Sequence, residues 1–343
     1  MTTVTVPENW IKRATRSIHI PPVFLFLIVI FLVSGILDQV LSDGQIFSNP
    51  AIMLNIVVRS VALGIVAVGQ TLVIIGASID LSVAYTISIT AVMSSYIMLG
   101  KTSNVPMAIA SVFGIGAAIG LANGLLVTKL KVNPFIATLG TSLIIKGIIN
   151  ATFSNYTGSV PESFQFFGYG TISSIPVIGS IPLIGSIPVS IIIMLLVYLA
   201  GWFLLARTKL GAHLYGVGGN SEVARLSGVR TDRVLIGAHI LCSMTAVLSG
   251  LFLVSQMQSG APWVGPNGFY DLNSIATTVI GGTALSGGKG GVWGTLAGVL
   301  IFGILDTTFN QLGVNPYLKT VLRGAIIVLA VASYTIRSKK EVA

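Results

Sequence analysis

Charged side chains are scarce in this sequence. Only 8% of its 343 residues are Asp, Glu, Lys or Arg, while 53% are hydrophobic, whereas soluble domains carry about 25% charged residues. Because so few polar groups cannot cover a surface that faces water, a soluble globular protein is excluded. Long apolar runs with few charges favour helices over a barrel, whose strands would alternate apolar and polar residues. The sequence therefore predicts an all-α integral membrane protein.

Cysteine and histidine are also rare. The single Cys242 lies in an apolar run, so an intramolecular disulfide cannot form and a thiolate metal site is not expected. His19, His213 and His239 lack the spacing of metal ligands. The string 286–291 resembles a phosphate loop but lacks the Ser or Thr that would bind magnesium. We therefore predict no metal, no cofactor and no catalytic residue, and no means of hydrolysing ATP within this chain.

Hydropathy predicts about ten membrane spans in a single domain that covers residues 1–343. The first apolar run follows Lys12, Arg13 and Arg16 as a signal peptide would, but it lacks a clean cleavage site, so we interpret it as an uncleaved span. The predicted spans lie near residues 22–41, 51–77, 81–99, 105–127, 133–152, 188–206, 233–256, 272–287, 290–309 and 319–336.

The basic residues are distributed unevenly between the predicted loops. With the N-terminus inside the cell, the cytoplasmic segments hold 14 of the 19 Lys and Arg residues, as the positive-inside rule requires. Both termini are therefore predicted to be cytoplasmic, with 1–21 as an N-terminal segment, 207–232 as the longest cytoplasmic loop and 153–187 as an external loop. Topology thus explains the net charge of +9, which does not indicate nucleic-acid binding.

Three basic residues, Arg59, Lys146 and Arg323, lie inside predicted spans near the external end. Their long side chains can reach the interface by snorkelling, which is the reading we favour. The other reading is that some of them line a water-filled external vestibule.

Two short strings match almost residue for residue. Residues 132–138 read Val-Asn-Pro-Phe-Ile-Ala-Thr and residues 314–320 read Val-Asn-Pro-Tyr-Leu-Lys-Thr, and each begins an apolar segment. Since the topology puts them on opposite sides of the membrane, they predict an inverted repeat of five plus five spans, an architecture of alternating-access transporters. Chance, with the general use of Asn-Pro before helices, is the alternative. Small-residue ladders on spans four and nine are expected to give close packing within each half: Gly116, Gly120, Gly124 and Gly290, Gly294, Gly298.

The segment 207–232 contains signals for a short helix outside the membrane. Asn220 or Ser221 can cap a helix that begins near Glu222, and Gly228 can end it. A short helix between glycines, parallel to the membrane, suits the docking of a partner. An ordinary solvated loop is the alternative.

Four strings, in order along the chain, resemble the membrane subunits of bacterial ABC sugar importers, the ribose, xylose and galactose permease family. They occupy residues 76–84, 133–141, 211–229 and 271–282. The first string departs from the family's Gly-Gly-Ile-Asp-Leu-Ser-Val-Gly, because Ala77-Ser78 adds a residue and Ala84 replaces a glycine.

The resemblance implies the membrane-spanning subunit of an ATP-driven importer in the bacterial inner membrane. It would form the pathway for a monosaccharide, or a related polyol, that a periplasmic binding protein delivers. Its other expected partners are a cytoplasmic ABC ATPase, which would use ATP and magnesium, a second permease copy and membrane lipids. The segment expected to contact the ATPase comprises Gly218, Gly219, Asn220, Glu222, Ala224, Arg225, Leu226, Ser227 and Gly228.

Two other classes of function are open to this sequence. A self-contained secondary transporter or channel also uses inverted repeats, but such carriers usually place ionisable groups at the membrane midplane. A membrane enzyme would need a nucleophile paired with a base, and the sequence offers no such pair.

Polar residues within the spans are the candidates for the pathway, because neutral sugars call for amide and hydroxyl groups rather than charges. For each of them the alternative is a hydrogen bond between helices. The candidates are Asn55, Gln70, Thr71, Asn123, Thr138, Thr141, Thr277 and Thr278. A structural role is expected for Asp80, which can bond Ser82 and hold a broken helix, and for the Asn133-Pro134 and Asn315-Pro316 pairs.

Overall fold

The described part of the chain is almost entirely helical. The computed structural model describes residues 21–41, 44, 47, 49–174, 187–326 and 328. Within those ranges the only β-pairing is two isolated bridges, Thr157 with Gly260 and Thr171 with Pro188. The predicted all-α class is therefore confirmed.

Fourteen helices are numbered here in chain order through the described ranges. They are α1 Pro22–Leu41, α2 Pro50–Ile75, α3 Val83–Met98, α4 Val105–Thr128, α5 Pro134–Thr152, α6 Glu162–Tyr169, α7 Val189–Arg207, α8 Lys209–Gly219, α9 Ser221–Leu226, α10 Thr231–Met257, α11 Val264–Asn267, α12 Tyr270–Ile280, α13 Val292–Gln311 and α14, residues 316–326. Short 3-10 turns, Thr102–Asn104 and Ile172–Ser174, precede α4 and follow α6.

Seven of these helices, namely α1, α2, α4, α5, α7, α10 and α13, are long and apolar enough to cross a membrane, judged by length and composition alone. The shorter apolar helix α3 has 16 residues. The predicted count of about ten is thus not confirmed. Of the other predictions, most of segment 1–21, residues 175–186 of the loop 153–187 and the end of the tenth span lie outside the described residues.

The eighth predicted span, 272–287, is wrong at its C-terminal end, because α12 stops at Ile280 after 11 residues. At about 1.5 Å per residue such a helix covers about half of the membrane's hydrocarbon core. A turn rich in glycine follows, in which Gly282 has φ +91° and Gly287 has φ +84°. Glycine adopts this left-handed conformation readily, so the chain leaves the helix here despite its apolar composition.

Helices α2 and α10 form the centre of the bundle. Residues 64–75 of α2 are all buried. The two helices are antiparallel, because Ala62 of α2 accepts a hydrogen bond from Ser249 while Gly69 lies against Cys242, nearer the start of α10. A Cβ on Gly69 would lie 2.7 Å from the Cys242 Cα, so the glycine allows the two backbones to approach closely.

The two glycine ladders pack differently from each other. Gly294 and Gly298 of α13 lie against α12, within the second half as predicted. The ladder of α4 instead packs against α10, where a Cβ on Gly120 would lie 2.6 Å from the Ile240 Cα. The prediction that each ladder packs within its own half is therefore wrong for α4, whose ladder contacts a helix of the other predicted half.

Candidate functional site

The segment between α7 and α10 folds into two short helices. The Asn220 side chain accepts hydrogen bonds from the backbone N–H groups of Glu222 and Val223, each at 3.0 Å, and so caps α9. Gly228 follows α9 with φ +85°. The predicted cap and the predicted terminating glycine are confirmed. Helix α8, of 11 residues, precedes them and was not predicted from the sequence.

Helix α9 presents an apolar pair to its surroundings. Val223 is 57% exposed and Leu226 is 79% exposed, and their spacing puts both on one face of the helix. Ala224 is buried and faces the protein, while Arg225 bonds Glu222 at 2.8 Å beside the pair. This exposed apolar surface on a capped helix is suited to contact with another protein.

The end of α8 packs directly against backbone of two other segments. A Cβ on Gly218 would lie 1.7 Å from the Ile75 carbonyl oxygen and 2.6 Å from the Gly288 nitrogen. The Gly288 N–H donates to the same Ile75 oxygen at 2.9 Å. The Tyr215 hydroxyl donates to the Gly290 carbonyl at 2.8 Å, and burial raises the pKa of that hydroxyl, which keeps it a donor. Helix α8, the end of α2 and the glycine turn, residues 281–291, therefore meet at one point.

Residues 76–82, which we call the junction loop, join α2 to α3 and carry a buried polar network. One oxygen of Asp80 accepts from the Ser82 N–H at 2.9 Å and from the Ser82 hydroxyl at 2.6 Å. The other accepts from the Asn123 amide at 3.3 Å and lies 3.3 Å from His239 Nδ1. His239 Nε2 lies 3.0 Å from the Ser78 hydroxyl. Asp80, Ser82, Asn123 and His239 are fully buried.

Backbone groups of the junction loop are held as well. With its amide oriented to satisfy both neighbours, Gln70 donates to the Asp80 carbonyl at 3.1 Å and accepts from the Asp80 N–H at 3.3 Å. The Leu81 N–H donates to the Thr138 hydroxyl at 3.0 Å. The loop is thereby fixed to α2, α4, α5 and α10, and the carboxylate is surrounded by donors that offset the cost of burying it.

Sequence reasoning missed His239, because the residue stands alone in an apolar run and its partner Asp80 lies 159 positions away. One signal was present in the sequence. An ionisable residue inside a span needs a partner, and Asp80 was the acidic residue at a span junction. Among the described residues, no three His, Cys, Asp or Glu side chains come close enough together to hold a metal ion.

Six of the eight pathway candidates are buried within the chain, while Asn55 is exposed and Thr141 is partly exposed. Three belong to the junction network, and Thr71 bonds Thr278 at 3.3 Å and Thr295 at 2.8 Å. Thr277 bonds its own helix at Asn273. Five of the six buried candidates thus bond other segments, as in the alternative reading, whereas Thr277 bonds only within α12. A pathway role for any candidate stays a prediction.

The two Asn-Pro pairs of the repeated string are helix caps. Asn133 accepts from the Phe135 N–H at 3.0 Å, and Asn315 accepts from the Tyr317 N–H at 2.8 Å. Asn49 caps α2 in the same way. An Asn cap followed by proline in the first turn is favourable in any helix, so capping alone explains part of the similarity between the two strings.

The three basic residues in predicted spans have different surroundings. Arg323 pairs with Asp306, whereas Arg59 and Lys146 are exposed. Lys146 lines a cavity of about 380 Å³ together with Tyr85, Asn150 and Trp263. Aromatic rings beside amide and ammonium donors could accommodate a small polar molecule, which agrees with the vestibule reading for Lys146.

These features are those of a membrane-embedded transport subunit, with apolar helices around buried polar groups and a short helix, α9, that exposes apolar side chains. A family model described as "Branched-chain amino acid transport system / permease component" matches residues 52–331. The chain belongs to this family and is a multi-pass membrane protein.

Its relatives include sugar permeases. The chain is 34% identical over 340 residues to the ribose import permease protein of Escherichia coli strain K12, covering 96% of this chain and 98% of the relative. It is 32% identical to the galactose/methyl galactoside import permease protein of Haemophilus influenzae (91% and 95% covered) and to the fructose import permease protein of Rhizobium meliloti (95% and 88% covered). No solved structure matches the chain significantly.

Proposed function

We propose that this chain is the membrane-spanning subunit of an ATP-driven importer in the bacterial inner membrane and forms the pathway for a monosaccharide. The observation that carries the proposal is the similarity, over nearly the full length of both chains, to import permeases named for ribose, galactose and fructose. The exposed Val223–Leu226 pair on α9 adds a surface for the ATPase that such an importer requires.

The family description also raises branched-chain amino acids as a cargo. An amino acid carries an ammonium and a carboxylate, and both need partners when they leave water. The fully buried ionisable pair, Asp80 and His239, already makes its contacts within the chain. The relatives named for sugars and the uncharged side chains of the six buried pathway candidates therefore favour a sugar.

A partner ATPase is favoured over a secondary mechanism. A buried ionisable pair is a feature that ion-coupled carriers also use. Here, however, the Asp80 carboxylate also accepts hydrogen bonds from Ser82 and Asn123, as it would in a fixed structural site. In addition, a secondary carrier would have no ATPase for α9 to bind. We assign the use of ATP and magnesium to the ATPase. We assign delivery of the sugar to a periplasmic binding protein that contacts the permease on the side opposite to α9.

The packing of the helices supports an inverted repeat in which α2–α5 correspond to α10 and α12–α14. Helix α4 packs on α10 as α13 packs on α2, and α3 packs on α10 as α12 packs on α2. The pairs α3–α4 and α12–α13 correspond in the same way. Together with the positive-inside rule, this arrangement supports a cytoplasmic location for α8, α9 and both termini.

We further propose that two copies of the chain enclose the pathway. Six of the eight candidate residues are buried within one chain, so an open route is better formed between copies. Asn55 and Arg59 are exposed one turn apart on α2, and such polar side chains are suited to line a pathway between the two copies. We assign the lipid contacts to helices such as α1, which exposes many large apolar side chains, among them Leu25, Ile28, Leu32, Ile36 and Val40.

Substrate class is tested with the complete transporter, the permease with its ATPase and binding protein, in proteoliposomes. We expect at least one of ribose, galactose and fructose to accumulate about tenfold faster than leucine, because a path of amide and hydroxyl groups does not stabilise a zwitterion. The measurement is the initial rate of labelled-substrate uptake. Faster uptake of leucine than of every sugar would overturn the assignment.

A further inference from the structure

We propose that the junction loop, residues 76–82, transmits the movement of α8 and α9 to the helices of the pathway. The inference rests on the proposed function and deepens it. Asp80 and His239 are positioning residues in this scheme, since they hold the loop in place and act on the sugar only through the helices.

One side of the junction loop touches the segment that the ATPase would move. A Cβ on Gly287 would lie 2.7 Å from both the Ala77 Cβ and the Gly218 carbonyl oxygen. The Gly288 N–H donates to Ile75 at 2.9 Å. Because these contacts are made by backbone and by short side chains, a displacement of α8 cannot be absorbed by a change of rotamer.

The other side of the loop is bonded to three further helices. Asn123 links it to α4 at 3.3 Å, Thr138 links it to α5 at 3.0 Å, and His239 links it to α10 at 3.3 Å. His239 lies eight residues after the start of α10, which is about 12 Å along the helix. A shift of the loop would therefore act on α4, α5 and α10 inside the bundle.

The loop also holds a residue in a disfavoured conformation. Ala77 has φ +58°, in the left-handed region that a residue with a Cβ adopts at a cost. Such strain persists only where the surroundings over-determine it, and it collects in switch regions. Here the end of α2 holds Ala77, because the Ala77 and Ser78 N–H groups donate to the Ile74 and Val73 carbonyls, and the glycine turn packs against Ala77 at Gly287. A movement of that turn would therefore change the strain in the loop.

The test uses Asp80→Asn and His239→Gln in the complete transporter, with sugar uptake and ATP hydrolysis measured on the same proteoliposomes. We expect uptake per ATP hydrolysed to fall by about tenfold, within the usual range of coupling between sites, while hydrolysis stays within about twofold. Ser249→Ala is the matched control, since it removes another buried bond between α10 and α2, the bond to the Ala62 carbonyl.

Ala77→Gly covers the case in which the network variants do not assemble. Glycine accepts the left-handed conformation freely, so the fold is kept while the strain is removed, and uptake per ATP should again fall. The inference stands if an assembled variant loses uptake per ATP and Ser249→Ala does not. The inference is overturned if no assembled variant shows reduced uptake per ATP, or if Ser249→Ala reduces uptake per ATP as much as the other variants do. Failure of the unaltered transporter to couple uptake to ATP would instead reject the proposed function.

Discussion

Gly218→Ala is expected to reduce coupled uptake by about tenfold or more, an effect that overpacking by about 1–3 kcal/mol can produce. The added methyl group would lie 1.7 Å from the Ile75 carbonyl oxygen and 2.6 Å from the Gly288 nitrogen. Since both atoms belong to backbone, α8 must move away from the end of α2 and from the glycine turn. The measurement is the initial rate of sugar uptake by the complete transporter, normalised to the amount of inserted permease.

Gly216→Ala is the matched control on the same helix. A Cβ at Gly216 meets nothing within 4 Å, and alanine favours the helix more than glycine does. Uptake by this variant should equal that of the unaltered chain. Equal uptake by Gly218→Ala and Gly216→Ala would show that the close contact of α8 is not needed for coupling.

Replacing both Val223 and Leu226 with Asp is expected to release the ATPase from the permease. These side chains are 57% and 79% exposed, and burying two apolar side chains against a partner is worth about 3 kcal/mol or more, which is about 100-fold in affinity. The measurement is the dissociation constant between the purified permease in nanodiscs and the ATPase. The folded permease should remain intact, because neither side chain contributes to its core.

Leu130→Asp controls for the loss of any exposed apolar side chain. Leu130 is 68% exposed and follows Lys129, which pairs with Asp232 at the start of α10 at 2.7 Å. Affinity for the ATPase should stay within about threefold of the unaltered value, the difference that about 0.6 kcal/mol makes. If Leu130→Asp weakens binding as much as the double variant does, α9 is not the docking site.

Local signals in the sequence predicted much of the helical framework. Asn133 followed by proline marks the start of α5, and the Asn220 cap with Gly228 marks the limits of α9. These features depend on residues within one or two turns, so a single sequence contains them. The apolar runs located α2, α4, α10 and α13 to within a few residues for the same reason.

Neither the long-range side-chain pairs nor the backbone conformation of the glycines could be predicted from the sequence. The contact between Asp80 and His239 joins residues 159 positions apart, and nothing in either neighbourhood identifies the partner. Hydropathy likewise extended the eighth span through the glycine turn, because it measures composition and not the positive φ of Gly282 and Gly287. The α4 ladder predicted close packing but not the helix it packs against.

The cavity beside Lys146 and the junction network differ in exposure, which suits them to different roles. Lys146, Tyr85 and Trp263 line an open cavity, whereas Asp80 and His239 are fully buried. The first is suited to contact with a solute and the second to fixing helices. This division is consistent with a permease that leaves tight capture of the sugar to another protein and ATP hydrolysis to a third.

The dependence of transport on ATP is the property that most directly separates an ATP-driven importer from a secondary transporter. The complete transporter is reconstituted in vesicles with its external side facing outwards, and ATP is enclosed in the vesicle lumen. Uptake of a sugar that it carries is then measured in the presence of ionophores that abolish proton and sodium gradients. We expect uptake to continue with ATP and the ionophores, and to stop when the ATPase is replaced by a hydrolysis-deficient variant. Uptake that persists without hydrolysis and disappears with the ionophores would contradict this expectation and identify a secondary transporter.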